Sequence, residues 1–151
     1  MFKLSKRSLD RLDGVDERLA AVVAAAIHIS RVDFGVICGM RTLEEQRELV
    51  EKGASQTMKS KHLVGHAVDL MAYCGSRASW ELNLYDDIAD AVAEAAREVD
   101  VPIVWGAAWT VPNIAQYSEG TMEDAMNSYI DVRRSQGRRP FIDGPHFELV
   151  V

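Results

Sequence analysis

A chain of 151 residues with 48% hydrophobic and 26% charged residues has the size and composition of one folded domain spanning residues 1–151, and no stretch approaches the ~20 consecutive apolar residues of a membrane helix. The net charge of -6 argues against sequence-independent nucleic-acid binding, which needs clustered Lys and Arg to neutralise phosphates, and the local run Arg133, Arg134, Arg138 and Arg139 reads as a solvated helix end and loop. The opening Met-Phe-Lys-Leu-Ser-Lys-Arg-Ser turns polar before the apolar core of a secretory signal could form, so the chain is expected to stay in the cytoplasm where it is made.

In chain order, Ser5 and Ser8 are candidate caps for a short helix containing Leu9 and Leu12 and ending near Gly14. From Asp16 to about Ser30, Leu19, Val22, Val23, Ala26 and Ile27 recur at three- and four-residue spacing, the pattern of one buried helical face. Phe34-Gly-Val-Ile-Cys reads as a short buried strand. Thr42 with Glu45 three positions on is a capping box opening a helix to about Lys52, with Gly53 placed to stop it. Residues 53 to 61 lack apolar periodicity and are expected to form a loop, whereas His66 to Tyr73 reads as a strand with Ala67, Asp69 and Met71 on one side.

Leu84, Ile88, Ala91, Val92, Ala95 and Val99 mark an amphipathic helix over 83–99, and Val101-Pro-Ile-Val-Trp a following strand. Thr121 to about Ser135 forms a further helix between irregular flanks, where long active-site loops are expected, and His146-Phe-Glu-Leu-Val-Val is a closing strand. The class predicted is α+β, a small, mostly antiparallel sheet with N-terminal and crossing helices around a cleft. Cys38 and Cys74 form no CxxC pattern and read as buried free thiols.

His62, Asp69 and His146 point to chemistry. Two imidazoles and a carboxylate suit zinc and leave a fourth tetrahedral position open for water, as a hydrolytic site requires and a closed structural site does not. Seven residues of regular helix would hold His62 and Asp69 two turns apart, so a loop-to-strand path is expected, with Gly65 turning the chain between them. Pro145 fixes the approach to His146. His66 is the competing ligand, but the first His lacks the following Glu of a zincin pair, so His66 reads as a packing or supporting histidine. His28 reads as a structural histidine inside its helix.

A hydrolytic site also needs a proton acceptor near its water, and Asp143, three residues before His146, can supply it from the same turn. An Asp that merely starts a Gly-Pro turn fits the local sequence equally well. Arg41 offers paired donors for a substrate carboxylate or a developing oxyanion. Ser55 and Ser60 could donate to a peptide backbone, and Trp109 could wall the cleft, with Trp105 as readily a core residue.

Ser60-x-His62-x-x-Gly65-x-Ala67-x-Asp69, followed by Asp143-x-x-His146-Phe, resembles the zinc peptidases that include D-Ala-D-Ala carboxypeptidases and dipeptidases and phage L-alanyl-D-glutamate endolysins. Gly39-x-Arg41-Thr42-x-Glu44-Glu45-Gln46, Gly53-x-Ser55-x-Thr57 and Trp105-Gly106 look like the endolysin branch, and the likeness covers nearly the full chain.

The resemblance implies a Hedgehog/D-Ala-D-Ala-peptidase-like fold, zinc on His62, Asp69 and His146, Asp143 as acid/base and Arg41 as substrate-binding or oxyanion-stabilising residue. It also implies cleavage of the bacterial peptidoglycan stem between L-Ala and D-Glu for host lysis. Release from the host cytoplasm through a separate holin, and action as a monomer, are expected with it. The family's frequent Gly-Gly-Asp-Trp is here Gly106-Ala107-Ala108-Trp109, which removes a polar contact, and the stretch from Trp109 to Asp143 is longer than in compact relatives. A D,D-carboxypeptidase and a non-catalytic zinc or cell-wall binding module are the alternative readings. Retention of both Asp143 and Arg41 disfavours the second.

Overall fold

The computed structural model describes residues 1–151. Helix α1 (Lys6–Arg11) begins where the Ser5 hydroxyl accepts the Ser8 N–H, and α2 (Glu17–Ile29) where Asp16 accepts the Arg18 N–H. Strand β1 (Asp33–Cys38) leads to α3 (Leu43–Glu51), opened by the expected Thr42–Glu45 capping box. A single 3-10 turn, Lys61–Val64, precedes β2 (Ala67–Cys74), which forms a hairpin with β3 (Arg77–Ser79). The long helix α4 (Leu82–Val99), β4 (Ile103–Trp105), a 3-10 turn at Ile114–Gln116, α5 (Met122–Ser135) and β5 (His146–Leu149) complete the chain.

All strand pairs are antiparallel, in the order β1-β2-β5-β4, with β3 sharing the β5 edge of β2. Successive side chains of a strand point to opposite faces. On β2, Val68, Leu70 and Ala72 therefore join Phe34, Val36, Ile103, Trp105, Phe147 and Leu149 in one core, packed with Leu19, Val22 and Ile27 of α2 and Ile88 and Val92 of α4. Asp69 and Met71 alternate onto the other face. Burial of each such aliphatic or aromatic side chain contributes about 1.5–3 kcal/mol, so this core holds the strands in the register on which the site depends.

Several expectations are corrected. The strand over 101–105 is shorter, because the Val101 N–H turns back to the Ala96 carbonyl at the end of α4 and Pro102 has no N–H to pair. Val99 is exposed, and β3 has too few residues for a periodicity to be read. His28 is exposed on α2 rather than held in the core. Cys74 lies exposed at the end of β2, and Cys38 is only half-buried.

Candidate metal centre

The sheet register assembles the site. Asp69 on β2 pairs with Cys38 of β1 on one side and with His146 of β5 on the other. His62 enters from the 3-10 turn, where the Ser60 hydroxyl accepts the His62 N–H. Gly65 then turns the chain in the left-handed region at φ 73°, and a Cβ there would collide with the Gly14 carbonyl. The predicted loop-to-strand route between His62 and Asp69 thus has its physical basis in a turn and a close backbone approach.

Each imidazole has one nitrogen committed and one turned inward. His62 donates its Nδ1–H to the Gly39 carbonyl at 2.8 Å, which turns Nε2 toward Asp69 Oδ2 at 3.3 Å. His146 donates its Nε2–H to Glu148 Oε1 at 2.8 Å, leaving Nδ1 at 3.1 Å from Asp69 Oδ1. The two rings stand edge to face with centroids 5.4 Å apart. An outward N–H bond that turns the other ring nitrogen inward is the arrangement by which proteins orient histidine for a cation. The donor set therefore fits a divalent metal. Ligand-type atoms gather as two groups that share Asp69: Cys38, His62 and Asp69, and Asp69, Asp143 and His146.

The electrostatics carry the same signature. Burial pushes the His62 and His146 pKa values down, yet the hydrogen bonds and charge of Asp69, with help from Cys38 and Glu148 respectively, outweigh it and raise them to about 10 and about 9. Burial raises the Asp69 carboxyl, but the two histidines dominate and hold it well below the usual carboxylate range. The cluster is built around positive charge, which protons supply when no cation does. Asp143 moves the other way: burial and the nearby Asp69 carboxylate raise its pKa, so it holds a proton more readily than an exposed carboxylate.

Asp143 lies on a turn docked by backbone bonds. Its N–H donates to the Gly106 carbonyl, and the Gly106 N–H donates to the His146 carbonyl, each at 2.8 Å. A Cβ at Gly106 would collide with the Asp143 carbonyl, so only glycine permits this approach. Trp105 is fully buried and donates its indole N–H to the Gly144 carbonyl at 2.7 Å, beneath the same turn. Trp109 lies with its ring centroid 5.9 Å from that of His146 and donates to the Phe141 carbonyl.

Arg41 comes to the site from the β1–α3 junction. Its Nη2 lies 3.8 Å from Asp69 Oδ2 and donates to Cys38 Sγ at 3.2 Å, while Nη1 donates to Gln46 Oε1 at 2.6 Å. Gln46 is fully buried and donates through Nε2 to Ser55 Oγ and the Thr57 carbonyl. Ser55 donates in turn to the Thr57 carbonyl at 3.3 Å, so its hydroxyl builds the loop, whereas the O–H of Ser60 remains able to donate. His66 lies away from this cluster, 4.0 Å from Asp16 Oδ2 beside the start of α2.

Three residues that support the site, two beside the candidate ligands and one behind Arg41, escaped sequence reasoning. Glu148 stands two positions after His146 in a strand, so the period of two already placed both on one face and could have revealed it. Gln46 stands in the Gly39–Gln46 motif that carries the resemblance, but no spacing rule reveals that its side chain holds Arg41. Cys38 becomes a neighbour of Asp69 only through strand register.

A small antiparallel sheet that brings His62, Asp69 and His146 together, with a carboxyl of raised pKa and an arginine beside them, fits the chemistry of a metal-dependent hydrolase. The chain belongs to the family of phage L-alanyl-D-glutamate peptidases, which it matches over residues 1–150. It is similar to the L-alanyl-D-glutamate peptidase of Escherichia phage T5, at 28% identity over 153 residues covering 99% of this chain and 98% of the phage protein. Among solved structures it resembles the L-Ala D-Glu endopeptidase ChiX of Serratia marcescens, with TM-score 0.71 and 34% identity over 99% of this chain and 90% of that one.

Proposed function

We propose that this chain is a zinc-dependent peptidoglycan endopeptidase that hydrolyses the bond between L-Ala and D-Glu of the stem peptide and so lyses a bacterial host. The observation that carries this reading is the pair of imidazole nitrogens, from His62 and His146, converging on one carboxylate, Asp69, with Asp143 held beside them. His62, Asp69 and His146 would hold the ion. When bound, zinc supplies Lewis acidity for the scissile carbonyl and for the attacking water.

The chain's own residues supply the remainder. Asp143 takes the proton of the attacking water and returns it to the leaving amine nitrogen of D-Glu, a relay favoured by its raised pKa. Arg41, steadied by Gln46, presents guanidinium N–H groups to the oxyanion or to a substrate carboxylate. Trp109 borders the site over His146, and Ser60 offers a hydroxyl donor to the peptide backbone. We further propose that the protein acts as a monomer and reaches the wall from the host cytoplasm through a separate holin. No helix is long and apolar enough to cross a membrane.

Mass spectrometry of digested, purified peptidoglycan tests the reading. Stem peptides beginning at D-Glu support it, whereas release of D-alanine with the L-Ala–D-Glu bond intact would replace it with a D,D-carboxypeptidase. Asp143→Ala should retain zinc and lose at least a hundredfold in lytic rate, whereas His146→Ala should lose both zinc and lysis. Wild-type lytic activity in Asp143→Ala would remove the assigned acid/base.

A further inference from the structure

Beside the Asp143 turn lies a cleft of about 360 Å³ that the reaction as derived does not use, lined by Trp80, Leu82, Tyr85, Ile142, Asp143 and Pro145 among others, with no lysine or arginine. Trp80 is 62% exposed, although its ring stacks on Tyr85 at 6.3 Å with an interplanar angle of 10°. Tyr85 is itself fixed, donating to the Ser79 carbonyl at 2.7 Å and accepting the Ala72 N–H at 3.1 Å. The exposed indole thus lies nearly parallel to an anchored ring, with most of its surface open to solvent.

Its place along the sheet is set by register. On the edge of β2 that receives β5, Asp69 pairs with His146, the Leu70 N–H donates to the Pro145 carbonyl, and Ala72 pairs with Ser79, the residue before Trp80. Three residues of strand separate Asp69 from Ala72, roughly 10 Å. Ser79 therefore lies about that far along the sheet from Asp69, and Trp80, the next residue, lines one cleft with Asp143.

We propose that Trp80 and this cleft bind the amino sugar to which the stem peptide is attached. The inference rests on the peptidase reading above. In peptidoglycan the L-Ala amine is acylated by the lactyl group of the sugar, so one alanine and one lactyl unit separate the scissile carbonyl from the ring. Those two units span ~7 Å when extended, and the breadth of the sugar covers the remaining distance to the indole.

Charge decides between the two arms of the substrate. The peptide arm beyond D-Glu carries carboxylates, and a cleft without a basic residue and with Asp143 on its rim disfavours them. A neutral pyranose presents an apolar C–H face to an aromatic platform and hydroxyls to solvent, which suits a mostly apolar pocket with few polar groups. Arg41, at the opposite end of the constellation, remains for the carboxylates.

The test compares kcat/KM for two substrates: a disaccharide-linked stem peptide, and the same stem peptide carrying an N-acetyl group on L-Ala in place of the lactyl sugar. Wild-type protein should prefer the disaccharide form, Trp80→Ala should lower that preference at least tenfold, and Trp80→Phe should retain most of it. Thermal unfolding of both variants checks that they fold. An unchanged ratio in folded Trp80→Ala, or equal losses on both substrates, would overturn the sugar site alone. Failure of wild-type protein to cleave either substrate would overturn the peptidase reading and the subsite with it.

Discussion

Glu148 shows how much of the site's character rests on a residue outside the candidate ligand set. Its Oε1 accepts the His146 Nε2–H, and its Oε2 accepts from Lys61 Nζ at 2.8 Å. Lys61 adjoins His62 and also donates to the Leu149 carbonyl. One carboxylate thereby fixes the tautomer of one histidine and ties its strand to the turn bearing the other. Burial pushes the Glu148 pKa up, but its bonds to His146 and Lys61 prevail and keep it ionised. Glu148→Ala should weaken zinc binding about 10- to 100-fold, measured by competition with a chromophoric chelator. Glu148→Gln should cost less, because an amide oxygen still accepts the Nε2–H. Unaltered affinity in the alanine variant would show that the His146 tautomer needs no such partner.

At the level of elements, α4 carries a concentration of acid. Asp86 is buried on this helix near Asp87, Asp90 and Glu123, with Arg31 reaching Asp87 and Asp90 from outside at 3.0 and 3.8 Å. Burial first, then the charges of Asp87, Glu123 and Asp90, raise its pKa from 3.8 to about 6. The folded state consequently binds the proton more tightly than the unfolded state. This contribution to stability is present in full below pH 3.8, declines as pH rises through about 6 and is absent at neutrality. Allowing for screening by solvent, Asp86→Asn should stabilise the protein by about 1 kcal/mol at pH 7 and have little effect near pH 4. Denaturant unfolding at both pH values measures it, and equal effects at the two would refute the burial argument. Asp90 has a structural use for its charge, since it accepts the Met122 N–H at the start of α5.

Across the whole molecule, the candidate ligand residues couple folding to proton binding and, on the zinc reading proposed above, to cation binding. In the chelated protein, Asp69 holds protons on His62 and His146, whose pKa values stand at about 10 and about 9 against 6.5 for an ordinary histidine. Raised values in the folded state mean stabilisation that is complete below pH 6.5 and lost as pH climbs through about 9 to 10. Chelation should therefore lower Tm at neutral and alkaline pH, where zinc can displace the protons, and have little effect in acid, where the protonated histidines exclude it. Zinc binding near neutrality should release protons, which calorimetry in buffers of different ionisation enthalpy would detect. A Tm insensitive to chelator would contradict the coupling.

Most elements were legible because their signals are local. Thr42 with Glu45, the 3.6-residue period of α2 and α4, and the turn at Gly65 are statements about neighbours in sequence, as is the short text around His62, Asp69 and His146 that carries the family resemblance. The sequence by itself determined which residue types were available for a metal and a proton relay. Tertiary structure alone decided how they are used: that Cys38 and His146 flank Asp69, that Gln46 holds Arg41, that His66 turns to Asp16 instead, and that Trp80 opens beside Asp143. The geometry of the candidate ligands depends on strand register and on hydrogen bonds between residues as much as 88 positions apart, and those are fixed by packing of the common core, not by any local preference of the chain.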